Sequence, residues 1–278
     1  MKILVTGANG YLGSGVVKEL CSRGHRVIAA DFTVDRVCAD AVKYACDLFS
    51  VEDPYNFFDQ PEVLLHMAWR DGFVHNSPAH IQDFPRHYRF LEKVMGTGIR
   101  RVAVMGTMHE IGFFEGSVDE NTLCNPMNLY GISKDALRKS VQLLSSQTGT
   151  AYQWLRAFYI VSGQTNGSSI FSKLAAAEES GQCEFPFTTG QNQYDFLDYD
   201  DFCAQVAAAV VQDRVDGVIN ICSGRPEKLS DRVEQFIKDN GFSIKLRYGA
   251  FPERPYDSKA IWGNDAKIKQ ILQTVESR

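Results

Sequence analysis

Three glycines behind a short apolar run constrain this chain more than anything else in it. Ile3-Leu4-Val5-Thr6 has the length and character of a fully buried strand, and Gly7, Gly10 and Gly13 follow before helical periodicity begins. In a strand-turn-helix of this kind the first glycine permits the tight turn, the second lets backbone approach a pyrophosphate, and the third lets the helix lie close on the strand. A diphosphate then sits at the positive end of the helix. Tyr11 and Leu12, between the last two glycines, join the candidate cofactor-binding residues.

The next apolar run, Arg26 to Ala30, ends in Asp31, 18 residues after Gly13. An acid there takes the ribose 2′-hydroxyl of an adenosine half and repels a 2′-phosphate, so NAD(H) is expected over NADP(H), with Phe32 beside it. Arg36 weakens that preference if it swings toward the ribose. With 278 residues the chain has room for a doubly wound domain and a smaller appended one. A net charge of −5 and a pI near 5.7 argue against nucleic acid or an anionic membrane as the main partner. No apolar run approaches the ~20 residues of a membrane span, and a strand starting at Lys2 leaves no room for a signal peptide; a cytoplasmic protein is expected. Seven scattered cysteines without a Cys-x-x-Cys pair read as reduced thiols, and no metal site is expected.

Val42 to Cys46 reads as a third strand closing on Asp47-Leu48, which faces an adenine or, equally, begins with an aspartate capping the next segment. Val63 to Trp69 reads as a fourth strand, with Met67, Ala68 and Trp69 at the carboxyl edge where open α/β sheets bind ligands. His66 within it reads as a core histidine. Arg70 opens a polar loop to Pro85 and is a candidate substrate contact. A crossover helix is expected from Arg86 to Met95, then a strand from Arg101 to Met105 and a polar loop from Gly106 to Gly112. That order implies a parallel sheet with right-handed crossovers.

Pro126 to Lys134 opens a helix on which Tyr130 and Lys134, four residues apart, share one face. A phenol is a poor base at neutral pH, but a nearby ammonium favours the phenolate. Tyr130 could then exchange a proton with an alkoxide or alcohol, with Thr107 hydrogen-bonding the same oxygen.

These residues resemble the extended short-chain dehydrogenase/reductase family, in the branch that acts on nucleotide-diphosphate sugars. Gly7-x-x-Gly10-x-x-Gly13 is similar to its nucleotide turn, Leu65 to Trp69 to its fourth strand, Thr107 to its catalytic Ser/Thr, and Tyr130-Gly-Ile-Ser-Lys134 to its Tyr-Lys pair. The likeness continues through Leu155 to Phe158, Tyr194 to Asp201 and Arg254 to Asp257. It implies a Rossmann-type doubly wound parallel sheet over residues 1–160, completed by about 195–222, and a smaller carboxyl-terminal, mainly substrate-binding portion over 161–278. It further implies NAD as cofactor, Lys134 on the nicotinamide ribose, Phe158 in the cofactor site, and a nucleotide-diphosphate sugar held by Met108, His109, Tyr159, Phe187 and Arg254. Phe187 stacks on the base or packs in the core; Arg254 contacts the diphosphate or braces a proline turn. Related enzymes often pair through a four-helix bundle, so a homodimer is possible.

Departures narrow the reaction. Dehydratases of this branch carry Asp-Glu after the catalytic Thr, whereas this chain has Met108-His109, and a thioether cannot transfer a proton. The family's usual Asn after Arg-x-Phe is Tyr159, and its usual Arg before Asp-Phe is Tyr194. His109 and Glu110 read as contacts to sugar hydroxyls or as a loop brace. The leading expectation is a reductase at C4 of a nucleotide-bound 4-keto-6-deoxyhexose. The alternative is a 4-epimerase using the same residues in both directions, and a non-catalytic NAD-sensing protein is a third reading.

Overall fold

The computed structural model describes residues 1–162, 169–252 and 257–276. Its centre is a parallel sheet whose inner strands are largely apolar and buried, so both faces must be covered. The strands β1 (Lys2–Thr6), β2 (Arg26–Asp31), β3 (Val42–Ala45), β4 (Val63–His66) and β5 (Arg101–Thr107) are joined by Ala151–Ala157 and Gly217–Ile221. Across the sheet the order is Gly217–Ile221, Ala151–Ala157, β5, β4, β1, β2, β3, and every neighbouring pair is parallel. This is the doubly wound sheet implied by the sequence. The winding reverses between β1 and β4, the position at which open α/β sheets bind ligands beyond the carboxyl ends of their strands.

One face is covered by α1 (Tyr11–Ser22) and the helices Tyr199–Val211 and Ala266–Glu276. Val16, Val17 and Leu20 of α1 meet Phe202, Val206, Val210, Ile268 and Ile271, all essentially buried. Each such side chain contributes about 1.5–3 kcal/mol on burial. The other face is covered by the helices Ala79–Met95 and Leu129–Thr148, through Phe90, Leu91, Val94, Leu137 and Val141. Together the two layers clamp the sheet, so the strand ends are held rigidly and the loops between them carry the site.

A smaller sheet orders Pro226–Lys228, Gln193–Asp198, Ala260–Gly263 and Gly116–Val118, with Tyr159–Val161 also paired to Gln193–Asp198. Its core gathers Phe171, Leu174, Phe187, Phe196, Phe236 and Ile261. The two parts interleave along the chain. Gly116–Val118 belongs to the smaller sheet, while the last helix returns to the larger one through Ile268 and Ile271.

Three local expectations change. The helix expected from Arg86 begins at Ala79 and takes in Pro85. Its first half looks polar yet buries Ala79, His80, Asp83 and His87, and that inward face outweighs the one backbone bond a proline removes. Ala151–Ala157, to which the sequence reading assigned no strand, lies inside the sheet with Trp154 and Arg156 fully buried. Asp200-Asp201, which in the sequence read as the cap of a helix through Phe202, Val206 and Val210, sit in that helix's first turn, and the cap position is Asp198. Among the described residues no helix is long and apolar enough to cross a membrane.

Candidate active site

The glycine turn is built as the spacing requires. Gly7 adopts φ +71°, and a Cβ on it would stand 2.5 Å from the Ala68 backbone nitrogen, so only glycine lets β1 and β4 end this close together. A Cβ on Gly13 would overlap the Gly7 carbonyl oxygen, which fixes how near α1 lies to the strand. Gly10 occupies the cap position of α1 with no side-chain cap, leaving the first-turn N–H groups for another acceptor. Tyr11 and Leu12 turn their side chains away, Tyr11 against Tyr199 at 4.9 Å between ring centroids and Leu12 against the apolar face.

At the end of β2 the Asp31 carboxylate accepts from the Asn9 N–H at 2.9 Å and the Phe32 N–H at 2.8 Å. Phe32 and Arg36 are exposed beyond it, and Arg36 is held by its backbone N–H on Asn9 Oδ1 at 2.7 Å. Asp47 caps the turn Leu48–Ser50 and pairs with Arg86 at 2.9 Å, while Leu48 buries its side chain in the core. The capping role weighed for Asp47 is therefore occupied.

The proton-transfer residues meet at the ends of β4 and β5. Thr107 closes β5, accepts from the His109 N–H at 3.3 Å, and hydrogen-bonds the Tyr130 hydroxyl. Asn128 caps the tyrosine helix by accepting from Gly131 N–H at 2.8 Å, which places Tyr130 in its first turn. Burial pushes the Tyr130 phenol well above its ordinary value, opposed by the Thr107 hydrogen bond and reinforced by the Glu110 charge. Lys134 is buried too. Its ammonium donates to the Met105 carbonyl at 2.7 Å and sits 3.9 Å over the Trp69 ring. Burial pushes it down to about 7, against a smaller opposite pull from Glu110.

One electrostatic expectation is thereby corrected. Tyr130 and Lys134 do share a face, but the cation is directed at a carbonyl and an indole, and the phenol is governed by burial and by Thr107. A buried ammonium minimises its free energy by satisfying its own donors first.

The sequence model of the NAD dependent epimerase/dehydratase family matches residues 3–222. The chain belongs to this family. It is 40% identical over 269 residues to the dTDP-6-deoxy-L-talose 4-dehydrogenase (NAD(+)) of Aggregatibacter actinomycetemcomitans, covering 95% of this chain and 99% of that one. Two solved structures share the fold. The UDP-glucose 4-epimerase of Thermotoga maritima, with UDP-glucose, has a TM-score of 0.83 at 21% identity, covering 97% of this chain and 92% of its own. The UDP-glucuronic acid 4-epimerase of Bacillus cereus, in complex with UDP-glucuronic acid and NAD, has a TM-score of 0.82 at 21% identity, covering 98% and 93%.

Within this epimerase/dehydratase framework the remaining candidates divide. Met67, Ala68 and Trp69 line the end of β4 beside Gly7 and Lys134. His109 lies 5.9 Å from Tyr130 between ring centroids. Met108 is buried under the same loop, 7% exposed. Tyr159 packs on Tyr194 at 4.5 Å, so the two departures from the family pattern touch each other. Arg70 is exposed and pairs with Asp83 at 2.5 Å. Three candidates turn inward instead. Phe187 is 1% exposed, edge-on to Tyr248, which makes it a core contact. Phe158 is buried in the same cluster as Cys222 and Ile261. Glu110 is wholly buried, taking N–H groups from Thr107 at 2.7 Å and Trp154 at 2.8 Å and lying 3.4 Å from Arg156. It braces the loop, as its alternative reading had it, and cannot reach a sugar. Arg254 lies outside the described residues.

The sequence reading singled out His109 and read His66 as a core residue, but missed His75, His80 and His87 around them. Five of the six histidines fall between residues 66 and 109, a clustering visible in the sequence. His66 joins Thr6 Oγ1 at 2.8 Å to His87 at 2.9 Å, and burial and the Lys134 charge push it down to about 3. His80 accepts from Trp69 Nε1 at 3.0 Å, so its other nitrogen carries the proton and donates to the Val74 carbonyl at 3.0 Å. Among the described residues no group of three or more His, Cys, Asp or Glu is arranged to hold a metal ion.

Proposed function

We propose that this protein is an NAD-dependent oxidoreductase acting at C4 of a nucleotide-diphosphate-linked 6-deoxyhexose, a reductase of the 4-keto sugar and, in reverse, a dehydrogenase of the alcohol. The observation that carries this reading is the Thr107 hydroxyl on the Tyr130 phenol at the carboxyl edge of the sheet, with Lys134 one turn further along the same helix. The 40% identity with a sugar-nucleotide 4-dehydrogenase over nearly the whole chain supports the substrate class.

The glycine cradle, the uncapped start of α1 and the Asp31 carboxylate suit NAD: a diphosphate on Gly7, Gly10 and Gly13, a ribose on Asp31, and the nicotinamide half toward Trp69 and Lys134. When bound, NAD(H) supplies or accepts the hydride at C4. A phenol whose burial keeps its proton is suited to donate it, so Tyr130 protonates O4 as negative charge develops there. Thr107, already bonded to that phenol, aligns it and shares the substrate oxygen. Met108-His109 stand where dehydratases of this branch carry Asp-Glu, Met108 cannot carry a proton, and Glu110 is sealed behind Trp154 and Arg156, so the carboxylate pair that eliminates water in those enzymes has no counterpart here. Ile81, Ile132 and Leu143 stay exposed on the two helices of the same face and support pairing of two copies there.

The test is to incubate purified protein with NAD(+) and dTDP-6-deoxy-L-talose, and with NADH and nucleotide-linked 4-keto-6-deoxyhexoses, following NADH absorbance and product identity. Stoichiometric cofactor turnover is expected. Inversion at C4 without net NADH change would assign a 4-epimerase instead.

A further inference from the structure

Residues 71–78 were read only as a polar loop, yet they form a braced arch over the reacting phenol. Asp71, at φ +58°, accepts from Ser77 Oγ at 2.7 Å, and its carbonyl takes the Val74 N–H at 2.7 Å. His80 holds the Val74 carbonyl from below. The arch is fastened to the tyrosine helix through two of that helix's orphan first-turn donors: Tyr130 N–H goes to the His75 carbonyl at 2.9 Å and Leu129 N–H to Asn76 Oδ1 at 3.2 Å. Gly72 passes so close that a Cβ there would stand 3.9 Å from the Tyr130 hydroxyl.

This anchoring aims one side chain. The His75 ring lies nearly parallel to Tyr130, 13° between planes and 6.0 Å between centroids, and 4.2 Å from the ring of His109. Two imidazoles from separate loops thus stand together beside the phenol. An imidazole offers one donor and one acceptor in its neutral form, the complement of a hydroxyl group.

Resting on the C4 reading above, we propose that His75, paired with His109, is a specificity-determining residue that hydrogen-bonds a ring hydroxyl of the sugar adjacent to the reacting carbon. The arch is held by backbone bonds and by the side chains of Asp71, Asn76, Ser77 and His80, and His75→Ala leaves all of these in place.

The experiment compares wild type, His75→Ala and His75→Asn with dTDP-6-deoxy-L-talose, with its analogues each lacking one ring hydroxyl, and with NAD(+), adding NADH binding by fluorescence as a readout independent of turnover. His75→Ala is expected to raise KM for the sugar nucleotide about 3- to 10-fold, the loss of one neutral hydrogen bond, with NADH affinity unchanged. His75→Asn should recover part of the loss. On the analogue lacking the contacted hydroxyl, wild type and His75→Ala should become equal. Equal KM values for wild type and His75→Ala on every sugar overturn the proposal, and so does a loss that falls equally on NADH binding. Wild type that turns over no nucleotide-linked hexose would instead defeat the proposed function, a result distinct from either of these.

Discussion

The Lys134 ammonium sits 3.9 Å above the Trp69 ring and donates to the Met105 carbonyl, so this buried lysine is solvated by an indole face and a strand end. Trp69 is in turn stacked 4.4 Å from His87 and fixed through Nε1 on His80. The lysine is held by a stack whose parts come from β4 and the helix after it, and this couples the catalytic helix to the end of β4.

Lys134→Met should stabilise the fold at neutral pH while abolishing activity. Burial moves the lysine from 10.5 to about 7, so between those pH values the unfolded chain binds a proton that the folded chain releases, and wild-type stability climbs with pH across that window. The gap corresponds to about 5 kcal/mol, offset by about 1–3 kcal/mol for the donor lost to Met105. Chemical denaturation at several pH values should show the variant ahead by a few kcal/mol at pH 7 and below, with its advantage shrinking toward pH 10. An advantage independent of pH would refute the buried-ammonium account.

Thr107→Ala should lose on two counts. The hydroxyl both bonds Tyr130 and caps the turn Met108–Glu110. Turnover should fall about 10²- to 10⁴-fold, and stability by about 0.5–2 kcal/mol. Thr107→Ser keeps the oxygen and should retain most of both, as steady-state rates and melting curves would reveal.

Asp31→Ser should relax the cofactor preference. The carboxylate that repels a 2′-phosphate is removed, while a shorter acceptor stays near Asn9 and Phe32. The ratio of kcat/KM for NADH over NADPH should drop at least about tenfold; an unchanged ratio would show that another group excludes the phosphate.

Glu110→Ala should cost about 3–5 kcal/mol, because it leaves the fully buried Arg156 guanidinium without its carboxylate. Glu110→Gln, which keeps acceptors for the Thr107 and Trp154 N–H groups, should cost less. Urea unfolding of the two variants would order them, and equal losses would argue that charge is irrelevant there.

By itself the sequence determined the frame and its chemical residues. Buried strands read as apolar runs because both their faces are covered. Gly7 and Gly13 are legible because no other residue fits a left-handed turn or a helix pressed onto a carbonyl. Tyr130 and Lys134 follow from the helical repeat, and Thr107 from a strand end. What the tertiary structure decided is where polar side chains spend their hydrogen bonds. Glu110 and His109 are neighbours in sequence, yet one seals a buried arginine and the other faces the phenol, because a 3₁₀ turn sends consecutive side chains in different directions. His75 acquired its place from backbone donors of a helix more than fifty residues away. Lys134 turned from the phenol to Met105 and Trp69. Such choices depend on partners brought together only by packing, and local periodicity carries no record of them.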